Sequence, residues 1–142
     1  MRIAIKRVDP ELPLPKYETA GSAGFDFVVR EGTVVKAGDI ALLPVNAIVQ
    51  VPEGHMMIIA ARSSTPRRTG LVIPHGIGII DSDYCGPEDE VCIQVWNPTS
   101  DDVEVKRGDR IAQGLIMRVE RAEWQEVEEI VAPTRGGFGS TG

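Results

Sequence analysis

The sequence predicts an all-β domain, built as a sandwich, a barrel or a jelly roll, and three observations support this class. Short segments rich in Val, Ile and Leu recur along the chain. Turn residues such as Asp9-Pro10 and Ala37-Gly38-Asp39 separate these segments. Only residues 110–114 resemble a helical turn, and Gly114 makes it a poor one. Many short strands with turn signals between them are typical of antiparallel sandwiches and barrels.

The predicted strands are recognised by alternating or short continuous apolar patterns that favour a pleated, half-buried surface. In chain order they cover residues 3–8, 25–29, 33–36, 40–43, 47–51, 55–61, 71–73, 77–80, 90–96, 103–106 and 115–119. Residues 124–131 predict either a short helix or a late strand. No long linker or internal repeat divides the chain, so we expect one domain over residues 1–133.

Composition excludes several classes of function. The chain has 142 residues, of which 42% are hydrophobic and 25% are charged, as in globular domains. Its net charge of -6 argues against nucleic-acid binding, which needs a basic face, but permits a small anionic ligand. The apolar runs are too short to span a bilayer, so no membrane association is expected. The N-terminus lacks an apolar signal core, and two cysteines without a metal or redox spacing suit a reducing compartment, so we expect a cytoplasmic protein.

The most informative segment is residues 76–84, where an apolar run with two glycines meets two acids and an aromatic residue. The run predicts a strand, and Asp81-Ser82-Asp83 predicts the turn that ends it. Side chains at such a strand end can be presented to a ligand, and glycine lets backbone approach closely. The segment therefore predicts either a small polar pocket or a buried strand that ends in an acidic turn.

The C-terminus differs in kind from the rest of the chain. Residues 134–142 are nearly half glycine and carry one arginine, Arg135, and one aromatic residue, Phe138. Such a tail buries little apolar surface by itself. It predicts either a disordered terminus or a flexible arm that closes over phosphate groups at an active site.

Five segments, in order, resemble the five motifs of the trimeric dUTPases, the deoxyuridine 5'-triphosphate nucleotidohydrolases. They are residues 23–27, 62–64, 76–86, 107–113 and 135–142. The resemblance implies a jelly-roll-like β-sandwich of the dUTPase-like β-clip type with a flexible C-terminal arm. It also implies a homotrimer with active sites at subunit interfaces, which hydrolyses dUTP to dUMP and pyrophosphate with Mg2+ as cofactor.

The resemblance assigns the chemistry and the base specificity to the third motif. Asp81 matches the acid that orients and deprotonates the water that attacks the α-phosphorus. Tyr84 matches the aromatic residue that presses on the deoxyribose and leaves no room for a further hydroxyl. Gly78 and Ile80 lie in the hairpin whose backbone groups pair with uracil. His75 stands where the family often has Asn; its imidazole either bonds a uracil carbonyl or lies beside the neighbouring proline.

The remaining motifs imply contacts to the triphosphate. Arg62, Ser63, Ser64 and Gln113 match positions that bind phosphate oxygens. Asp26 matches the acid linked to hydrated Mg2+ through water, since Mg2+ keeps much of its hydration shell. In the fifth motif, Arg135 matches a contact to the γ-phosphate and Phe138 matches the ring that stacks on uracil.

Four features depart from the family pattern. The arm lacks two residues between Arg135 and Phe138, His75 replaces an Asn, and residues 85–90 form a longer and more acidic continuation after Tyr84. Residues 62–71 resemble the related dCTP deaminases as much as the dUTPases. Two alternative functions therefore accompany dUTP hydrolysis: a mono- or bifunctional dCTP deaminase of the same fold, and a non-enzymatic jelly-roll binding module.

Overall fold

A computed structural model of the chain describes residues 1–137, and within that range it contains ten strands and one short helix. The strands are β1 (Ala4–Lys6), β2 (Phe25–Asp26), β3 (Thr33–Val35), β4 (Ile40–Pro44), β5 (Ile48–Gln50), β6 (His55–Ala61), β7 (Gly78–Ile80), β8 (Cys92–Trp96), β9 (Val103–Val105) and β10 (Ala112–Arg118); the helix α1 covers Thr65–Thr69. The predicted all-β class, a jelly-roll-like sandwich, is confirmed. Nowhere in the same range is a helix long and apolar enough to cross a bilayer.

One four-stranded antiparallel sheet carries most of the residues of interest, in the order β2-β10-β6-β7. Three two-stranded antiparallel sheets, β1-β5, β3-β9 and β4-β8, complete the fold. A single hydrophobic cluster fills the interior and draws residues from strands of every sheet, including fully buried Phe27, Leu43, Met57 and Ile93. The sheets are therefore held together by shared burial of the apolar side chains that their patterns predicted.

The strand predictions hold for most of the chain, and β6 spans the predicted residues. The predicted strand at residues 71–73 is reduced to a single bridge, in which Val72 pairs with Trp96. Residues 124–131 are neither helix nor strand. The helix α1 was not predicted; Pro66 lies in its first turn and Gly70 ends it in the left-handed conformation, with a φ of 76°.

Residues 110–114, which resemble a poor helical turn in the sequence, form none, because residues 112–114 belong to β10. Glycine is required at position 114 because two aromatic side chains approach its backbone closely. A Cβ atom at this position would lie 2.5 Å from Cε2 of Phe25 and 2.7 Å from Cε2 of Phe27. The glycine therefore lets two aromatic rings of the core lie directly against the backbone of β10.

Residues 119–137, which follow β10, contribute no regular element and lie on the outside of the domain. Residues 120–137 are all exposed. They include Trp124, Ile130 and Val131, with exposed fractions of 94%, 79% and 93%. An extended segment with three large apolar side chains so fully in solvent is unusual, because burial of each would contribute roughly 1.5–3 kcal/mol.

Replacement of Gly114 by Ala should destabilise the domain by about 1–3 kcal/mol, because the two rings cannot move away without disturbing the core. Urea unfolding at fixed protein concentration measures this loss. Gly21→Ala is the matched control, since no atom lies within 4 Å of the added methyl group and its φ is not positive. Equal stability of the two variants would contradict the described contact.

Candidate active site

A cavity of about 410 Å³ collects four of the predicted phosphate-site residues at one edge of the four-stranded sheet. Asp26, Arg62, Ser63 and Gln113 line it, together with Glu18, Ser22, Ala23, Gly24 and Leu115. The lining is mostly polar, which suits a charged ligand better than an apolar one.

Strand register brings these residues together from distant parts of the sequence. On β10, Gln113 is paired with Asp26 of β2 on one side and with Ala60 of β6 on the other. Arg62 follows the last residue of β6 and therefore lies at the same end of the sheet as Gln113 and Asp26. The Gln113 amide donates to the carbonyl of Ala61 at 3.3 Å, and a Cβ atom at Gly24 would lie 2.7 Å from Gln113 Oε1. The glycine thus leaves the space that Gln113 occupies.

Asp26 is the most buried charged residue of the cavity, with 8% of its surface exposed. Its Oδ1 lies 3.0 Å from Nε of Arg62, and its Oδ2 lies 3.3 Å from Nη1 of Arg110. Neither approach is aligned as a hydrogen bond, and within residues 1–137 no donor satisfies Oδ2. Two guanidinium groups therefore neutralise this carboxylate, while its hydrogen-bonding capacity stays partly unused.

Two residues of this network were not among the predicted site residues. Arg110 also donates to Glu18 at 2.6 Å, and Arg62 donates to the carbonyl of Arg110 at 3.2 Å. Arg110 and Glu18 are 92 residues apart in sequence. No local pattern marks Glu18, because its contact exists only once the sheet has formed.

The donor set tests whether a magnesium ion suits this cavity. Among residues 1–137, no group of three His, Cys, Asp or Glu side chains is placed to hold a metal. Mg2+ rarely needs such a cage, because it keeps several waters and takes one or two carboxylates together with substrate phosphates. One buried carboxylate with an unsatisfied oxygen, Asp26, fits an ion that arrives with its phosphate ligands.

A second group of predicted residues surrounds the end of β7. Asp81 follows the strand directly and is exposed, and no donor in residues 1–137 bonds its carboxylate. The turn after it is closed by a bond from the Tyr84 N–H to the Asp81 carbonyl at 3.3 Å. Tyr84 is 40% exposed, so one part of its ring is free to contact a ligand.

Gly78 of β7 lies next to the side chains of Ile59 and His75. A Cβ atom at Gly78 would lie 3.2 Å from Cβ of Ile59 and 3.6 Å from Nε2 of His75. The imidazole of His75 therefore lies against Gly78 and is exposed, whereas Ile80 turns towards the core. The backbone of β7 at Gly78 therefore lies beside the imidazole of His75, which can donate or accept a hydrogen bond.

The two groups lie far apart within one chain. In the register of β6 and β7, Ile80 is paired with Met57, five residues before Arg62, which corresponds to about 17 Å along the sheet. Asp26 lies on the edge strand β2 and Asp81 directly follows the other edge strand, β7, with two strands between them, a further separation of about 14 Å across the sheet. The Arg62 guanidinium is turned towards Asp26 and thus away from β7. Within a single chain, the residues around Asp26 and those around Asp81 are therefore too far apart to contact the same small ligand.

The remaining predicted residues lie outside both groups. Ser64 is the residue before α1 and lines a separate small cavity of about 60 Å³ with Arg68 and Asp109. Arg135 lies in the exposed segment and does not line the cavity around Asp26. Phe138 lies outside the described residues.

Comparison with solved structures places the fold in a defined class, the β-sandwich nucleotidohydrolases. A dUTPase from Streptococcus mutans superposes with a TM-score of 0.77 at 32% identity, over 84% of this chain and 98% of that chain. The dUTPase of Staphylococcus bacteriophage 80alpha, in complex with dUPNHPP, superposes with a TM-score of 0.87 over 99% of this chain and 98% of that chain. At 23% identity, the phage structure shows likeness of fold alone.

Sequence comparison identifies the family. The dUTPase family model matches residues 10–142. The deoxyuridine 5'-triphosphate nucleotidohydrolase of Thermobifida fusca is 41% identical over all of this chain and 79% of its own length. That of Anaplasma marginale is 41% identical over 92% of this chain and 90% of its own length. The chain belongs to the dUTPase family.

Proposed function

We propose that this protein hydrolyses dUTP to dUMP and pyrophosphate by attack of water on the α-phosphorus. The observation that carries this proposal is the carboxylate of Asp81, which stands exposed and without a donor at the end of β7, in the part of the chain that matches the family. This activity would supply dUMP and limit the dUTP available for incorporation of uracil into DNA.

In this reaction Asp81 holds and orients the attacking water. A free aspartate is a weak base near neutral pH, so positioning contributes as much as proton removal. The new P–O bond forms from the water oxygen, the bond to the pyrophosphate leaving group breaks, and the proton passes to the carboxylate. Attack in line with that leaving group requires fixed geometry more than covalent chemistry from the protein.

Specificity for a deoxyuridine nucleotide follows from the strip of backbone at β7. Gly78 admits the base close to backbone N–H and C=O groups, with Ile80 at the end of the same strip and His75 beside it. A thymine methyl group would meet this wall, and the extra hydroxyl of ribose would meet the ring of Tyr84. Exclusion by a rigid wall discriminates more strongly than the lost contact of one methyl group, which is worth about 1–3 kcal/mol.

The cavity around Asp26 receives the triphosphate. Arg62 supplies the charge, and Ser63 and Gln113 supply neutral hydrogen bonds at its wall, with Ser64 at its margin. A bound Mg2+ would neutralise phosphate charge and shield the leaving group, with Asp26 contacting its hydration shell. In the family, the dUTPase of phage phi11 of S. aureus coordinates a structural Mg(II) ion.

Two observations support a homotrimer with active sites between subunits. The groups around Asp81 and Asp26 are too far apart to meet on one nucleotide within a chain, so one site needs two chains. The segment after β10 also presents Trp124, Ile130 and Val131 to solvent, which favours a second copy as its neighbour. Three equivalent sites in a closed ring satisfy both observations.

The tail of residues 134–142 is proposed to act as an arm that closes this shared site. Arg135 lies in the exposed segment and does not line the cavity around Asp26 in its own chain. Contact of Arg135 with the γ-phosphate and of Phe138 with the base would exclude water other than the nucleophile.

A panel of the four canonical deoxynucleotides plus dUTP, each with Mg2+, tests the function directly. Pyrophosphate should be released from dUTP alone. Ammonia from dCTP would indicate the deaminase, which needs a free glutamate after the hairpin to activate water. Glu90 is the buried candidate there, and its carboxylate is already bonded by Arg30 and Asn46. No turnover of any nucleotide would leave only a binding module.

Asp81→Asn should abolish turnover while binding of a non-hydrolysable dUTP analogue stays near normal. The stability of the variant should be unchanged, because no donor in residues 1–137 depends on this carboxylate. Single-turnover kinetics with isothermal titration calorimetry separates the two effects. Asp83→Asn, two residues away and equally exposed, is the matched control and should keep its activity. Full turnover by the first variant would refute the role of Asp81.

Co-assembly of two inactive variants tests the shared site. Asp81→Asn and Arg62→Gln subunits are unfolded together and refolded at equal ratio. A site is intact only where the chain that supplies Asp81 is the Arg62→Gln variant and the chain that supplies Arg62 is the Asp81→Asn variant. Random assembly makes about a quarter of the sites intact, so about a quarter of wild-type activity should be recovered. Each variant refolded alone is the control. No recovery in verified mixed trimers would show that each chain builds its own complete site.

A further inference from the structure

The half-buried ion pair between Arg30 and Glu90 is the best-bonded charged pair in the part of the chain described. Arg30 Nε donates to Glu90 Oε1 at 2.8 Å, and Nη2 donates to Oε2 at 2.7 Å. Only 22% and 13% of the two side chains are exposed. This two-pronged geometry is the strongest way for an arginine to hold a carboxylate, and it fixes orientation as well as distance.

Asn46 completes the socket for the Glu90 carboxylate. Its backbone N–H donates to Glu90 Oε1 at 2.8 Å. Asn46 has a φ of 60° and is 1% exposed, and its amide exchanges two hydrogen bonds with the backbone of Asp9. A left-handed residue that is itself bonded on its other side cannot follow a moving partner. The carboxylate of Glu90 is therefore anchored to rigid backbone.

The backbone of the same glutamate holds the Tyr84 hydroxyl. Tyr84 Oη donates to the Glu90 carbonyl at 3.2 Å. Burial raises the pKa of the Tyr84 phenol, so the hydroxyl remains protonated and remains a donor at neutral pH. At its other end, the residue is bonded through its backbone N–H to Asp81. Tyr84 is thus held at its backbone by Asp81 and at its hydroxyl by Glu90, and the hydroxyl bond is the one that holds the ring.

This arrangement also accounts for the acidic continuation of residues 85–90. Asp89 closes its own turn, because its Oδ2 accepts the Gly86 N–H at 2.6 Å and its N–H donates to the Gly86 carbonyl at 3.1 Å. The turn brings the chain back so that Glu90 reaches Arg30, 60 residues away in sequence. The insertion is therefore a closed loop whose last residue is anchored, and the anchor lies beside the hydroxyl of Tyr84.

We propose that Arg30 and Glu90 are positioning residues that fix the ring of Tyr84 and thereby determine how strongly the site rejects ribonucleotides. The inference rests on the proposed dUTP hydrolysis, in which this ring faces the sugar. Repulsion between atoms rises steeply with small changes in distance, so a ring free to shift by a fraction of an ångström admits the ribose hydroxyl that a fixed ring excludes. The pair acts through Tyr84 and touches no reacting atom.

The test measures the position of the Tyr84 ring by fluorine NMR and the selectivity between dUTP and UTP by kinetics. The chain has two tyrosines, Tyr17 and Tyr84, so protein labelled with 3-fluorotyrosine gives two fluorine resonances, and Tyr17→Phe assigns them. In Glu90→Gln and Arg30→Met, the Tyr84 resonance should shift and broaden while that of Tyr17 stays fixed. In both variants, the ratio of kcat/KM for dUTP over UTP should fall about tenfold.

Two further variants separate positioning from general loss of stability. Val35→Ala truncates a core residue of β3 that is 1% exposed and lies outside the candidate site. It should lower the melting temperature and leave both the Tyr84 resonance and the nucleotide ratio unchanged. Tyr84→Phe keeps the ring and removes only the bond to the Glu90 carbonyl, so it should lower the ratio as Glu90→Gln does. This variant leaves the ion pair between Arg30 and Glu90 intact and remains informative if a charge variant does not fold.

Each outcome decides the proposal. An unchanged Tyr84 resonance in the charge variants, or full discrimination in Tyr84→Phe, overturns it. A shifted resonance with an unchanged nucleotide ratio also overturns it, because the ring would then move without effect on selectivity. Absence of dUTP turnover in the wild type would refute the proposed function instead, and the fluorine spectra would still report whether the pair fixes the ring.

Discussion

The pairing of β6 with a neighbour on each side is the constraint on which the candidate site depends. On one side, the register with β10 places Gln113 beside Ala60 and so defines the cavity next to Asp26. On the other side, the register with β7 places Gly78 beside Ile59 and so defines where the turn at Asp81 begins. A slip of one residue would turn every side chain of the shifted strand to the other face. Burial of Met57 and Ile59 in the core therefore fixes both groups at once.

The same constraint explains why the proposed reaction requires more than one chain. Because β2 and β7 are the edge strands of the sheet, the two groups face outwards in different directions, and no change of side-chain conformation brings them together. The apolar residues beyond β10 lie unburied in the isolated chain. A neighbouring copy of the chain would account for both features, because it would supply the second group of the site and cover the apolar residues beyond β10. In the proposed trimer, activity therefore depends on assembly.

How far the sequence predicts this structure depends on how local each feature is. Asp81 and Tyr84 lie in one short segment, so pattern and family resemblance identify them together, and β6 is recognised over its whole length by its apolar run. Residues 110–114 resemble a poor helical turn in the sequence, whereas Gly114 lies in β10 against Phe25, a contact that no local pattern reveals. The pair of Arg30 and Glu90 is likewise invisible to local reading, since 60 residues separate the partners.

Two carboxylates, the buried one of Asp26 and the half-buried one of Glu90, illustrate how a fold distributes rigidity. Glu90 accepts three aligned hydrogen bonds, so its position is determined before any ligand arrives. Asp26 has two arginines nearby but an oxygen that no donor in residues 1–137 satisfies. A satisfied network is stiff, whereas a partly satisfied one gains further bonds when a ligand or its hydration shell enters. The sugar-facing side of the proposed site is therefore held in advance, and the phosphate side is left to be completed by the nucleotide.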